Sequence, residues 1–240
     1  MTLDKARVLA NAQKHLARNN IDKALKELSS IVREDPKDLR VRQKVAELLA
    51  RQGKVSEAMR EFQVVAEAYE RGGFYPKAAA IYKQMLRFEP DQTQWHLALG
   101  EIYQQLALLS DAMDHFNRVA RQCDESGTSR EKIDIYEKLL RLNPDSIEYA
   151  EKLAGIYLQD GDQVGAFEVY RKLAETLEQR QDVEAMIRVY ERMSSVKPDD
   201  LALVRALADL YLDRGDPKRA LSKLQICFKA DPQDTETLNL

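Results

Sequence analysis

The sequence is poor in the residues that build metal centres and disulfide frameworks, with two cysteines and three histidines among 240 residues. Cys123 and Cys227 are too few and too far apart for a disulfide scaffold or a thiolate metal site, so we expect two small buried side chains. No metal-ligand pattern is evident around His15, His96 or His115. We therefore predict neither a metal site nor a cofactor.

Long apolar runs and glycine-rich phosphate loops are also missing. No stretch reaches the roughly 20 apolar residues that span a bilayer, and the N-terminus lacks a signal-peptide core, so we predict a cytoplasmic protein without membrane insertion. No strand is evident for a phosphate loop to follow, and no catalytic pair stands out among 40 aspartates and glutamates. We predict no catalytic residues. The alternative is a regulatory or targeting domain of a larger enzyme.

The charge is small but unevenly distributed. The net charge is −3, yet residues 1–90 contain 18 Lys and Arg against 12 Asp and Glu, and the remainder is acidic. An acidic partner near the N-terminal half fits this polarity, although an uneven solvated surface explains the same numbers. Nucleic-acid binding, the other alternative, is not expected because residues 91–240 lack a basic surface.

A regular series of prolines organises the chain. Pro36, Pro90, Pro144 and Pro198 recur with a 54-residue period, and Pro232 follows after a shorter 34-residue step. Self-similarity at such a period is typical of stacked helical repeats, and helix-forming residues fill the intervals. We predict an all-α fold.

Aligned on the prolines, the chain shows columns that predict three helices per 54-residue unit. Ten residues after each proline stands a small residue: Ala46, Gly100, Ala154 and Ala208. A helix break follows at Gly53, Ala107, Gly161 and Gly215. Alanine then stands one turn before a large residue, as in Ala58 and Phe62. We expect this second helix to run about 17 residues, to about 71, 125 and 179. We expect the aspartates after the prolines to begin the next helices: Asp91, Asp145 and Asp199.

The predicted layout is a single domain over 1–240. It comprises a helix pair at 1–36, three-helix units at 37–90, 91–144 and 145–198, a two-helix unit at 199–232, and the start of a further helix at 233–240. Because that helix is incomplete, we expect an N-terminal fragment of a longer protein, with an apolar C-terminal edge open to self-association.

The columns resemble the tetratricopeptide repeat, a helix pair with a 34-residue period. Leu99-Gly100 and Tyr103 match its first helix, and one full copy is given by Leu207-Ala208, Tyr211, Gly215, Ala220, Leu224 and Pro232. The resemblance implies a right-handed superhelical solenoid of about 12 antiparallel helices. It also implies an adaptor that binds a peptide, helix or folded partner, which in bacteria includes secretion, pilus, motility and polarity complexes.

The 54-residue period departs from that family and equals 34 plus 20. The long second helix satisfies two patterns, since Phe62 and Val65 close one helix pair while Ala66 and Tyr69 open the next. Three helices per unit leave two arrangements open. Either successive units alternate in direction, or one connection crosses over.

Two groups of residues are candidates for binding a partner. Arg40, Lys44 and Arg51 recur near one face of a helix and suit an acidic segment, although a solvated face is the alternative. On the next unit's first helix stand Trp95, Leu97 and Glu101. Aromatic side chains dominate interface energetics, and packing between units is the alternative for Trp95 and Leu97.

Overall fold

The computed structural model describes residues 4–230 and Pro232, and in this part of the chain it contains 13 α-helices and no β-strand. The predicted all-α class is confirmed, with 13 helices where about 12 were expected. The predicted start of a further helix at 233–240 lies outside the described residues.

The helices fall into two compact units, Met1–Arg118 and Val119–Leu240, whose boundary lies inside helix α7, Leu109–Ser126. The first unit also contains α1 (Lys5–Ala17), α2 (Ile21–Glu34), α3 (Leu39–Arg51), α4 (Val55–Arg71), α5 (Tyr75–Met85) and α6 (Thr93–Gln105). The second also contains α8 (Ser129–Leu142), α9 (Ile147–Gln159), α10 (Gln163–Arg180), α11 (Val183–Val196), α12 (Leu201–Asp213) and α13 (Pro217–Ala230). The single domain over 1–240 stays a prediction.

Helices that are consecutive in the chain pack side by side, from α1 to α6 in the first unit and from α8 to α13 in the second. Most connections have two to four residues, too short to run back along a helix of about 20 Å. In the longer connection 86–92, the N–H groups of Phe88 and Glu89 donate to the carbonyl of Met85 and hold the chain against α5.

No connection crosses over within the described part of either unit, so each helix reverses the direction of the one before it. The first helices of successive 54-residue stretches, α3 and α6 in one unit and α9 and α12 in the other, therefore run in opposite directions. Of the two arrangements that the sequence left open, the alternating one is present.

Three helices are longer than the rest. Helices α4, α7 and α10 have 17, 18 and 18 residues, and the others have 11 to 14. Their last residues are Arg71, Ser126 and Arg180, so the predicted ends near 71, 125 and 179 are confirmed. Within the first unit α4 packs against both α3 and α5. One helix thus belongs to two consecutive helix pairs.

A turn at the proline sets where the next helix begins. In 35–38, 143–146 and 197–200, the N–H of the fourth residue donates to the carbonyl of the first. Proline is the second residue of each turn, the position that its fixed φ favours. The fourth residue then caps the helix by accepting from a backbone N–H, as seen at Asp38, Ser146 and Asp200. The expectation that Asp91, Asp145 and Asp199 begin the helices is therefore wrong by one position, because the turn includes the residue after proline.

The first helix of each predicted unit ends at a residue with left-handed backbone geometry. Gly53, Gly161 and Gly215 have φ of +76°, +79° and +81°, which glycine adopts without steric cost. Ala107 occupies the same place with φ of +57°, where its Cβ costs roughly 1 kcal/mol. The predicted helix break is confirmed in all four copies.

Small residues facing large ones form the cores. The alanines of the predicted column are at most 1 % exposed: Ala58, Ala112, Ala166 and Ala220. Phe62 and Phe116, one turn further on, are fully buried. At Gly100 an added Cβ would lie 2.4 Å from a ring carbon of Phe116. Helix α6 therefore approaches this ring at a distance that only glycine permits.

Replacing Gly100 by alanine is expected to destabilise the protein by about 1–3 kcal/mol, because the Phe116 ring must move within a filled core. Gly155→Ala is the matched control. It also lies inside a helix, but its added Cβ meets nothing within 4 Å. Alanine's better helix propensity should stabilise that variant by about 0.5–1 kcal/mol. Urea unfolding followed by circular dichroism measures both values. A Gly100→Ala protein as stable as the parent contradicts the close packing.

Candidate functional site

A groove with an apolar floor lies in the first unit between α1 and α3, over α2, and has a volume of about 710 Å³. Its lining includes the apolar Leu9, Leu16, Leu28 and Val41, and the charged Lys5, Asp35, Asp38, Arg40 and Lys44. Arg40 and Lys44 are exposed and stand one turn apart on α3. Two of the predicted binding residues therefore line one groove.

The charges of this groove are only partly paired. The ammonium of Lys5 lies 2.6 Å from Asp38 and 3.4 Å from Asp35. Burial acts to raise the pKa of Asp38, but hydrogen bonds from Lys5 and from a backbone N–H hold it below its ordinary value. Lys44 pairs with Glu47 at 2.9 Å in an exposed contact. The Arg40 guanidinium has no partner among the described residues.

Arg51 does not share this groove with Arg40 and Lys44. It is exposed at the last position of α3, in a more polar groove formed with the turns at 18–22 and 52–54. Eleven residues of helix separate Arg40 from Arg51, which is about 16 Å. The predicted three-residue cluster is thus divided between the two ends of α3.

Trp95 is only 4 % exposed, and its indole N–H donates to Oε1 of Gln63 at 3.1 Å. The side chain therefore packs between α6 and α4. Leu97 and Glu101 are half-buried on the same helix. Glu101 lies close enough to the Tyr82 hydroxyl to contribute to that group's raised pKa, which burial raises most.

Tyrosine–carboxylate pairs join the long helices to the helices that follow them. The Tyr82 hydroxyl donates to Glu70 at 3.1 Å, and the Tyr136 hydroxyl donates to Asp124 at 2.9 Å. Both pairs have the same spacing along the chain, and the second follows the first by one 54-residue period. The recurring tyrosines are evident in the sequence. The acidic residues that recur with the same period were the signal from which their hydrogen-bond partners could have been predicted.

A histidine pair in the first unit is a cluster that sequence reasoning missed. His96 and His115 face each other with their Nδ1 atoms 2.8 Å apart, and the His115 ring stacks on Tyr103. A cavity of about 330 Å³ beside the pair is also lined by Asp111 and Arg118. The available signal was the four-residue spacing of Asp111 and His115, which places both on one helix face.

Hydrogen bonding fixes the protons of the neutral pair. A carbonyl oxygen only accepts, so His96 Nε2 carries a proton and donates to the Pro90 carbonyl at 2.8 Å. His96 Nδ1 then holds a lone pair, to which His115 Nδ1–H donates. One further proton fits on His115 Nε2, whereas a second would place two hydrogens between the Nδ1 atoms.

Burial lowers the pKa of His115 to about 4 from its ordinary value of 6.5. The neighbouring His96 and the cations Arg118 and Lys83 act in the same direction. Asp111 acts against them. The folded protein therefore holds His115 neutral at pH 7.

An ion pair occupies the equivalent place one period earlier. Arg42 and Glu61 precede His96 and His115 by one 54-residue period. The Arg42 guanidinium donates to Glu61 at 2.8 Å and to the preceding proline carbonyl at 3.4 Å. These are the equivalents of the two partners of His96. In these two copies the same position thus holds polar pairs of different chemistry.

Metal-ion clusters and membrane-spanning helices are absent from the described residues. In 4–230 and Pro232, no group of three or more His, Cys, Asp or Glu side chains is placed to hold a metal ion. None of the helices in that part combines the length and apolarity of a membrane span. Cys123 and Cys227 are free thiols, and both are buried, as predicted. Burial raises the pKa of the Cys123 thiol.

The free energy of unfolding should fall as the pH is lowered from about 6.5 to about 4, because the unfolded chain binds a proton that folded His115 does not. In His115→Gln the dependence of the unfolding free energy on pH should be weaker, by the equivalent of up to about one bound proton. Urea unfolding at several pH values measures it. An unchanged slope in His115→Gln contradicts the assigned pKa.

Several solved structures match the chain over most of its length. BtubC (BKLC) from P. vanneervenii is 14 % identical, with 95 % of this chain and 91 % of that one covered and a TM-score of 0.39. A tetratricopeptide repeat protein from Parabacteroides merdae ATCC 43184 is 15 % identical, with 98 % and 96 % covered and a TM-score of 0.26. The P58(IPK) TPR domain is 18 % identical, with 99 % and 63 % covered and a TM-score of 0.29. No curated protein matches the chain.

Two family models, both described as tetratricopeptide repeat, match residues 5–71 and 66–127. Together they span just over half of the chain. Their overlap at 66–71 falls in the second part of α4, the helix shared by two consecutive helix pairs. The chain belongs to the tetratricopeptide repeat family.

Proposed function

We propose that this chain is a non-catalytic scaffold that binds a partner protein in the groove between α1, α2 and α3. Tetratricopeptide repeats generally mediate protein–protein interaction, and proteins built from them are typically non-catalytic. The observation that supports this groove is its apolar floor with Arg40 and Lys44 beside it. We place the scaffold in the cytoplasm, within a multiprotein assembly such as a bacterial secretion, pilus, motility or polarity complex.

The proposed partner presents an acidic, amphipathic segment. The Arg40 guanidinium is unpaired among the described residues. It can therefore donate to a partner's carboxylate without breaking an ion pair within the chain. The exposed contact of Lys44 with Glu47 is worth little, and an incoming carboxylate can replace it. Leucine or aromatic side chains of the partner would cover Leu9, Leu28 and other apolar residues of the floor.

Reversing both charges, Arg40→Glu with Lys44→Glu, is expected to reduce partner retention at least about tenfold, because attraction becomes repulsion. Arg51→Glu is the matched control. It lies on the same helix and is exposed, but it is outside the groove, so retention should stay within about twofold.

The three immobilised proteins are exposed to lysate of the source cell, and retained proteins are quantified by mass spectrometry. The proposal requires a protein that the parent and Arg51→Glu retain and the double variant loses. Equal loss with Arg51→Glu, or no loss with the double variant, would falsify the assignment of this groove.

We also propose that α13 mediates contact between two copies of the chain. Leu221 and Phe228 are 57 % and 48 % exposed, and their seven-residue spacing places them on one helix face with Leu224. Exposed apolar side chains on one helix face often mark an interaction surface.

Sedimentation velocity should therefore show association of the parent protein at about 100 µM, within the range of weak dimers. Leu221→Glu with Phe228→Glu is expected to give a monomer, since two buried carboxylates would oppose contact. Ser222→Glu, exposed on another face of α13, should leave association unchanged. A parent protein that sediments as a monomer at this concentration contradicts the proposal.

A further inference from the structure

A second groove, with a volume of about 470 Å³, lies in the unit Val119–Leu240, between α8 and α10 and over α9. Leu140 of α8, Leu153 of α9, and Val169 and Leu173 of α10 contribute apolar surface. Leu153 and Leu173 belong to the core, whereas Leu140 and Val169 are half-buried at its edge. The groove is therefore an opening onto the hydrophobic core of this unit.

The equivalent position one period earlier is narrowed by side chains to a smaller cavity of about 330 Å³. One 54-residue period after His96 and His115 stand Ala150 and Val169. The histidine pair reaches from the proline carbonyl to the next helix, and the Arg42–Glu61 pair does the same in the copy before it. Alanine and valine are too short to make such a bridge. In this unit the groove has no such bridge, and its volume is about 470 Å³ against about 330 Å³ one period earlier.

Gly165 extends the opening at one end. Glu57 and Asp111 occupy its column in the preceding copies. A Cβ added at Gly165 would lie 2.9 Å from Cδ1 of Tyr157. The Tyr157 ring thus lies against the backbone of α10 and forms a wall of the groove.

The groove is lined by two unpaired cations and two carboxylates. The side chains of Arg141 and Lys172 have no ion pair or hydrogen bond among the residues that the structure describes, and both line the groove. Glu168 is already paired with Arg171 at 2.7 Å. Glu137 stands one turn before Arg141. Burial is the main cause of the raised pKa of Tyr157, and the negative charge of Glu137 is the second cause.

An ion pair between Asp145 and Arg180 holds the last part of α10 beside the end of α8. Arg141, the last but one residue of α8, therefore lies toward the same end of the groove as the later turns of α10. Lys172 is two turns before Arg180 on α10. Two unpaired cations thus stand toward one end of the apolar surface, and Glu137 stands toward the Tyr157 end.

We propose that this groove is a second partner-binding site, which takes a protein segment carrying one large apolar side chain followed by a carboxylate. The apolar side chain covers Leu140, Leu153 and Val169 at the core edge, where polar pairs stand in the earlier copies. The carboxylate lies between Arg141 and Lys172. Burial of the apolar group supplies affinity, and the cations set its orientation.

The experiment uses the full 240-residue chain with isotopically labelled leucine and valine methyl groups. The probe is an acetylated, alanine-based helical peptide of about 14 residues. It carries one leucine, with glutamates three and four residues after that leucine. A second peptide carries lysine in place of both glutamates. We expect the acidic peptide to shift the methyl resonances of Leu140, Leu153 and Val169, and the lysine peptide to bind at least about tenfold more weakly.

Val169→Trp should abolish binding of the acidic peptide by filling the groove. Val169→His, which installs the residue found one period earlier, provides a milder version should the tryptophan variant fail to fold. Arg141→Glu with Lys172→Glu should weaken the acidic peptide at least about tenfold. Arg188→Glu, an exposed cation on α11 that does not line the groove, is the matched control and should change nothing.

Three outcomes overturn the proposal. The first is that about 1 mM acidic peptide, a concentration suited to weak binding, shifts no methyl resonance. The second is that the two peptides bind with equal affinity. The third is that both Val169 variants fold and bind the acidic peptide with unchanged affinity. Because the variants leave Arg40 and Lys44 intact, a failure here is distinct from a failure of the groove between α1 and α3.

Discussion

The close approach of neighbouring helices is the constraint on which the rest of this structure depends. A small residue on one helix receives a large one from the next, as Gly100 receives the ring of Phe116. The contact leaves no free volume, so a shift of either helix costs packing energy at once. Because this pairing recurs with a 54-residue period and without an insertion, the helix lengths and turns between copies have little freedom to vary.

The long helices follow from the same constraint. Helix α4 is long enough to pack against α3 and α5, so it ends one helix pair and begins the next. Within each unit, an odd number of helices per period then reverses the direction of the following copy. A surface column that recurs in the sequence does not recur with the same orientation. This explains why candidate grooves must be located helix by helix rather than transferred from the 34-residue pattern.

Positions bordering the packed core are less constrained, and they differ between copies. One position holds an Arg42–Glu61 ion pair in one copy and a His96–His115 pair in the next. In each pair the two side chains bond to each other, and one of them also donates to a proline carbonyl. Polar groups that are removed from water need such bonds. Where Val169 occupies the position, no polar bridge is needed, and apolar surface is left accessible. The repeat thus preserves its core while varying its openings.

Much of the fold was predictable because it is local. Helix breaks at Gly53 and its equivalents follow from backbone geometry, and the buried alanines follow from spacing on one helix face. The capping residues were placed one position too early because the turn at proline is set by a hydrogen bond that residue types alone do not reveal.

The candidate sites were less predictable because they depend on which helices meet. The sequence determined the repeat, the helix order and the family, since these rest on periodic contacts between residues close in the chain. Only the tertiary structure separated Arg51 from Arg40 and Lys44, buried Trp95 against Gln63, and joined the two histidines. The physical reason is that a groove forms between helices that are not consecutive. Its shape is decided by the side chains that the intervening helix leaves uncovered.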